Sequence, residues 1–150
     1  MVYCAESLSL AALESFVHFD SALLPDDFVV YELDIPAHVS VERLEPADLP
    51  ANWAEIPGPV ELQLIGSAWL TSARTAVLIV PSAVVEREHN VLLNPEHPDF
   101  SKITSNGPSP FLFDARMKKL PASKAPKKPA KPRARKAGTR SVTTASKPSK

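Results

Sequence analysis

The chain has 150 residues, with 17 basic and 17 acidic side chains and no formal net charge. The zero is a cancellation: residues 118–150 hold 12 Lys/Arg and no acid, leaving residues 1–117 with five bases against all 17 acids, a balance of −12. One cysteine, Cys4, excludes a disulfide scaffold and a Cys-rich zinc site, no apolar run approaches the ~18 residues of a membrane span, and the N-terminus lacks the basic and apolar stretches of a secretory signal.

The default is therefore a cytoplasmic protein, with one core in residues 1–117 that buries roughly two-thirds of the unfolded surface. Val2-Tyr3-Cys4-Ala5 reads as a short strand. Ser7 or Ser9 caps a helix to about Phe19, with Leu10, Leu13 and Val17 on one face and Phe16 beside them. Pro25-Asp26-Asp27 is a turn, and Phe28 to Ile35 is a strand stopped by Pro36. Residues 36–59 contain Pro36, Pro46, Pro50, Pro57 and Pro59 and read as mostly irregular. Gly58-Pro59 opens a second helix, with proline at its first position and Leu62, Ile65 and Trp69 as its buried stripe. Thr75 to Val80 is a central strand covered on both faces, stopped by Pro81, with Val84-Val85 as a short extended piece after it. Asn94-Pro95 and His97-Pro98 mark turns, and Phe111-Leu112-Phe113 is a final strand with both rings on one face. From Lys118 the composition changes to Lys, Ala, Pro, Ser, Thr and Arg, which cannot bury enough apolar surface to fold. The expected organisation is an α+β domain over 1–117 and a disordered basic tail over 118–150. Strand residues directly after Met1 predict a domain that starts inside its fold, so either the start codon is placed too late or the gene has lost its front end.

The chemical signals read from the residues alone are modest. Gly58, Gly66, Gly107 and Gly138 form neither a phosphate loop nor a dinucleotide fingerprint. Glu88-His89-Asn90 and Glu96-His97-Pro98-Asp99 fit no zinc spacing and read as loop polarity, so no metal is expected. Glu6, between a strand and a helix N-terminus, is either a dipole partner or a carboxylate at a strand end, where catalytic groups project. Ser82, Asn90 and Asn94 have turn hydrogen bonding as their ordinary role. Trp53 and Trp69 are expected in the core, Cys4 as a small buried hydrophobe, and His18 as a dipole partner or partly buried core residue. The tail is a phosphate-binding arm, a solubilising tail, or an arm attracted to an acidic partner or to its own body. It carries no aromatic for base stacking.

Six segments, in order, resemble the RES-domain family. They are Val2 to Glu14, Leu49-Pro50-Ala51-Asn52-Trp53, Ile65 to Leu70, Val80 to Val85, Asn90 to Phe100, and Pro110 to Arg116. The resemblance covers essentially all of 1–117 and leaves the tail outside. It implies a fold similar to ADP-ribosyltransferases, a mixed sheet with flanking helices. It also implies a cytoplasmic bacterial toxin of a toxin–antitoxin pair that degrades NAD⁺ by cleaving the nicotinamide–ribose bond. NAD⁺ is then substrate, and no prosthetic group is expected. By resemblance, Glu6 is the family glutamate and Ser82 the family serine, with Tyr3, Ser7, Asn90 and Asn94 binding the dinucleotide. The expected partner is an Xre-like helix-turn-helix antitoxin, with DNA reached only through it, no membrane, and a homodimer left open. The family arginine lies upstream of the first matching segment. Arg74 and Arg87, which flank the serine strand, are the nearest substitutes, so the 150-residue form is expected to be weak or inactive. The alternatives are a non-catalytic relic that still binds the antitoxin, and ADP-ribose transfer to a protein target.

Overall fold

A computed structural model describes residues 1–19 and 25–117; the basic tail lies outside the described residues. Chain order runs β1 (Val2–Ala5), α1 (Leu8–Phe16), β2 (Phe28–Asp34), β3 (Val41–Arg43), α2 (Val60–Ser72), β4 (Val77–Pro81), β5 (His89–Leu93) and β6 (Thr104–Phe111). The architecture is α+β, as the residue pattern predicts. A four-stranded sheet has the order β1-β5-β4-β3, and β2 pairs with β6 in a separate two-stranded sheet. Pairing is antiparallel throughout except between β3 and β4.

The register sorts the side chains of the larger sheet by face, because directly paired residues share a side and alternate along each strand. Tyr3 and Ala5 of β1, Asn90 and Leu92 of β5, and Leu78 and Val80 of β4 share one face. Leu78 and Leu92 pack there against Trp69 of α2. Trp69 is 2% exposed, and its indole N–H donates to Thr75 Oγ1 at 2.9 Å. The opposite face presents Val77 and Leu93, which join Val39, Ala76, Leu33 and Ile35 in a second core. β4 is thus covered on both sides, which explains its unbroken apolar run.

Several expected boundaries move. Ser7 is the cap of α1: its Oγ accepts from the Leu10 backbone N–H at 3.1 Å. Of the predicted stripe only Leu10 is buried, while Leu13 and Val17 are exposed. Pro59 is the residue before the first helical turn of α2, not the first one in it. β4 starts at Val77, two residues later than expected, and takes in Pro81 as its last residue. Val84-Val85 is a turn, not a strand, because the Val84 and Val85 N–H groups both donate to Ser82 Oγ. The region read as irregular contains β3, and β5 runs through residues expected to be loop. The last strand ends at Phe111 instead of running through Leu112 and Phe113. There Gly107, at φ +130, faces Val30 across a β2–β6 irregularity, and a Cβ would stand 2.7 Å from the Val30 carbonyl oxygen. Phe113 instead closes an aromatic knot with Phe16, Phe28 and Phe111 at centroid distances of 5.8, 5.2 and 5.1 Å. His18 is exposed, not core. Among the described residues no helix is long and apolar enough to cross a membrane.

Candidate functional site

The end of β4, the start of β5 and Tyr3 of β1 converge on one carboxylate, Glu14, in the last turn of α1. Ser82 leaves β4 fully buried, its N–H donating to the Glu88 carbonyl at 3.0 Å. Its Oγ accepts from the Val84 and Val85 N–H groups at 3.1 and 3.0 Å and donates to Glu14 Oε1 at 2.8 Å. The hydroxyl is thereby saturated. It orients a carboxylate and is not placed to act as a nucleophile.

Asn90 Nδ2 donates to the same Glu14 oxygen at 2.6 Å. Hydrogen bonds to a charged group are worth about 1.5–3 kcal/mol each, so two on one oxygen hold the carboxylate firmly. Among the described residues Oε2 accepts no hydrogen bond. Asn90 is 1% exposed, and its Oδ1 is buried without a partner. Glu14 also lines a cavity of about 580 Å³ with Tyr3, Cys4, Ala5, Ala11, Ser15, His18 and Phe19. The phenol of Tyr3 is pushed up to about 12, first by partial desolvation, although the residue is 55% exposed, and then by the negative charge of Glu14, with the Asn90 amide partly offsetting both. Tyr3 is therefore a neutral O–H donor at physiological pH. Burial also raises the Cys4 thiol, so that sulfur stays protonated.

The residues expected from sequence separate into three groups. Ser82, Asn90 and Tyr3 come together around Glu14. Glu6 and Ser7 form a neighbouring bridge: Glu6 Oε2 meets His89 Nδ1 at 3.0 Å, and Ser7 Oγ donates to Glu88 Oε2 at 3.0 Å. Ser82 therefore meets Glu14, not Glu6. Asn94 stands at the opposite end of β5, where Nδ2 donates to the Leu70 carbonyl at 3.2 Å and Oδ1 accepts from the Glu96 N–H at 3.1 Å. Both ends of its amide are occupied by the fold.

Sequence reasoning missed Glu14, although a signal existed. It lies four residues after Leu10, the buried residue of α1, and so shares its face. Of the two arginines considered as anion clamps, Arg74 is held by both oxygens of Glu42 at 2.8 and 3.1 Å. Arg87 is exposed on the Ser82–Glu88 turn and makes no ion pair among the described residues. His97 Nδ1 accepts from the Asp99 N–H at 3.0 Å, a turn contact. Among the described residues no group of three or more His, Cys, Asp or Glu side chains is placed to hold a metal.

A carboxylate pinned by a buried serine and asparagine beside a neutral tyrosine is the polar centre of this fold. The RES domain family model matches residues 1–114, and the chain belongs to the RES-domain family. It is 42% identical over 120 residues to a protein of Sphingobium sp. named Prs ADP-ribosylating toxin, covering 78% of this chain and 74% of that one. It is 38% identical over 118 residues to a protein named Toxin Res from Yersinia enterocolitica, covering 78% and 77%. A Toxin Res of Photorhabdus laumondii is 41% identical over 102 residues, covering 67% and 64%.

Proposed function

We propose that this chain is a RES-type toxin that degrades NAD⁺ by cleaving the nicotinamide–ribose bond, with Glu14 as the carboxylate at the reacting carbon. The observation that carries the reading is the pinning of Glu14 Oε1 by Ser82 and Asn90, with Oε2 accepting no hydrogen bond among the described residues, on a residue of the cavity wall. Breaking this glycosidic bond develops oxocarbenium charge on the ribose. A fixed carboxylate stabilises that charge without reorganising, and it can orient a ribose hydroxyl or the attacking water. Tyr3, held neutral, supplies a hydrogen-bond donor to the same cavity. Ser82 and Asn90 act through Glu14. At about 580 Å³ the cavity falls within the range of small-molecule sites, roughly 300–1,000 Å³. The partner is an Xre-like helix-turn-helix antitoxin, through which DNA is reached.

The test is nicotinamide release from NAD⁺ by the purified chain and by Glu14→Gln. Weak release that vanishes in the variant is expected. No detectable release by the unaltered chain at high protein concentration, or equal release by both, overturns the reading.

A second reading is ADP-ribose transfer to a protein. It is favoured by the name of the Sphingobium relative, an ADP-ribosylating toxin. Water and a protein side chain can both attack the same oxocarbenium-like ribose. Mass spectrometry of the products separates free ADP-ribose from a modified protein.

A further inference from the structure

α1 is a short helix with little to hold it. It has nine residues, and Leu10 is the only buried one. Phe16 fastens its C-terminal end through the aromatic knot. Its N-terminal end is fastened by polar contacts to the start of β5. The Glu6 N–H donates to the His89 carbonyl at 3.1 Å, Glu6 Oε2 meets His89 Nδ1 at 3.0 Å, and Ser7 Oγ donates to Glu88 Oε2 at 3.0 Å. His89 is the chain neighbour of Asn90, and Glu88 accepts the Ser82 N–H. The bridge therefore joins the segment that carries Glu14 to the segment that carries both of its donors.

Helical geometry makes this joint consequential. A slip of one residue along a helix shifts a side chain by about 1.5 Å and rotates it by about 100°. Either movement removes Glu14 Oε1 from Ser82 Oγ at 2.8 Å and Asn90 Nδ2 at 2.6 Å. The Glu6 side chain is half exposed, and polar contacts of that kind add little to global stability. Their effect is on position.

We propose that Glu6 and His89 are a positioning pair, which with Ser7 and Glu88 sets the phase of α1 against β4 and β5 and so brings Glu14 onto Ser82 and Asn90. The proposal rests on Glu14 being the working carboxylate. It assigns Glu6 a role distinct from contact with substrate.

The experiment compares the full chain with Glu6→Ala, His89→Ala, the double variant and His89→Gln, whose amide can still donate to Glu6. Nicotinamide release is expected to lose about tenfold in kcat in each Ala single variant, with KM and Tm unchanged, as a small misplacement of a reacting group does. The double variant should lose no more than either single, and His89→Gln should recover most of the rate. Wild-type rates in the single variants, or losses that multiply in the double, overturn the proposal. Amide hydrogen exchange gives a second readout that needs no turnover. His89→Ala should speed exchange across α1 severalfold while leaving β4 and β5 unchanged, and unchanged exchange in α1 overturns the proposal. A wild-type chain that releases no nicotinamide yet shows this exchange pattern overturns the NAD⁺ reading alone.

Discussion

β5 carries an asparagine at its start and another just past its end, each 1% exposed, and the two ends behave oppositely. At the far end Asn94 joins α2 to the turn after the strand, and both its carbonyl and its amide are used. At the near end Asn90 spends its amide on a carboxylate and leaves Oδ1 without a partner. Burial therefore does not separate the two amides; their partners do. A folded interior ordinarily satisfies its polar atoms, and Asn90 Oδ1 is an exception beside an oriented carboxylate.

The largest effect that sharpens this contrast is expected at Glu14. Glu14→Gln should lower nicotinamide release by about a hundredfold or more, as loss of an electrostatic stabiliser does, with about 1 kcal/mol of stability lost as its two hydrogen bonds lose their charge assistance. Asn94→Ala should do the reverse. It leaves the Glu96 N–H without its acceptor and the Leu70 carbonyl with only the Ala73 N–H, and should cost about 2 kcal/mol in denaturant unfolding, while release at low temperature persists. Asn90→Ala should fall between them: loss of one donor to Glu14 is offset by removal of the orphaned oxygen, for a net cost of about 1 kcal/mol. If Asn90→Ala proves costlier in stability than Asn94→Ala, the contrast between the two ends is broken.

The smallest effect is a pH dependence. Tyr3 is raised from the ordinary 10.0 to about 12, so the folded state holds that proton more tightly than the unfolded chain. The corresponding stability is fully present below pH 10.0 and is lost as pH rises towards about 12. Ultraviolet titration of tyrosinate in a Tyr31→Phe background should place the Tyr3 midpoint near the upper value. Glu14→Gln should bring it down, since the carboxylate charge is the second cause of the shift.

Much of the framework was legible before any coordinate. α1, α2, β1 and β4 follow from caps, apolar spacing and an unbroken apolar run. β5 did not, because His89 and Asn90 read as loop polarity until Pro81 and Val80 supply their partners across the sheet. β6 is masked by Gly107, Pro108 and Pro110, residues that a two-stranded edge tolerates and a central strand does not. Ser82 and Asn90 stood out in their segments, but the choice between Glu6 and Glu14 did not. Both lie in one stretch of fewer than a dozen residues; position at the end of the strand drew attention to Glu6, whereas Ser82 hydrogen-bonds Glu14.

The sequence by itself determined the α+β pattern, the −12 and +12 division of charge, and the ordered segments that mark a RES domain. Those properties are local or additive along the chain. Tertiary structure alone decided which carboxylate meets the serine. That contact joins residues 68 positions apart. It depends on the rotational phase of α1, and that phase is set by where Leu10, Phe16 and the Glu6–His89 bridge settle against the rest of the fold.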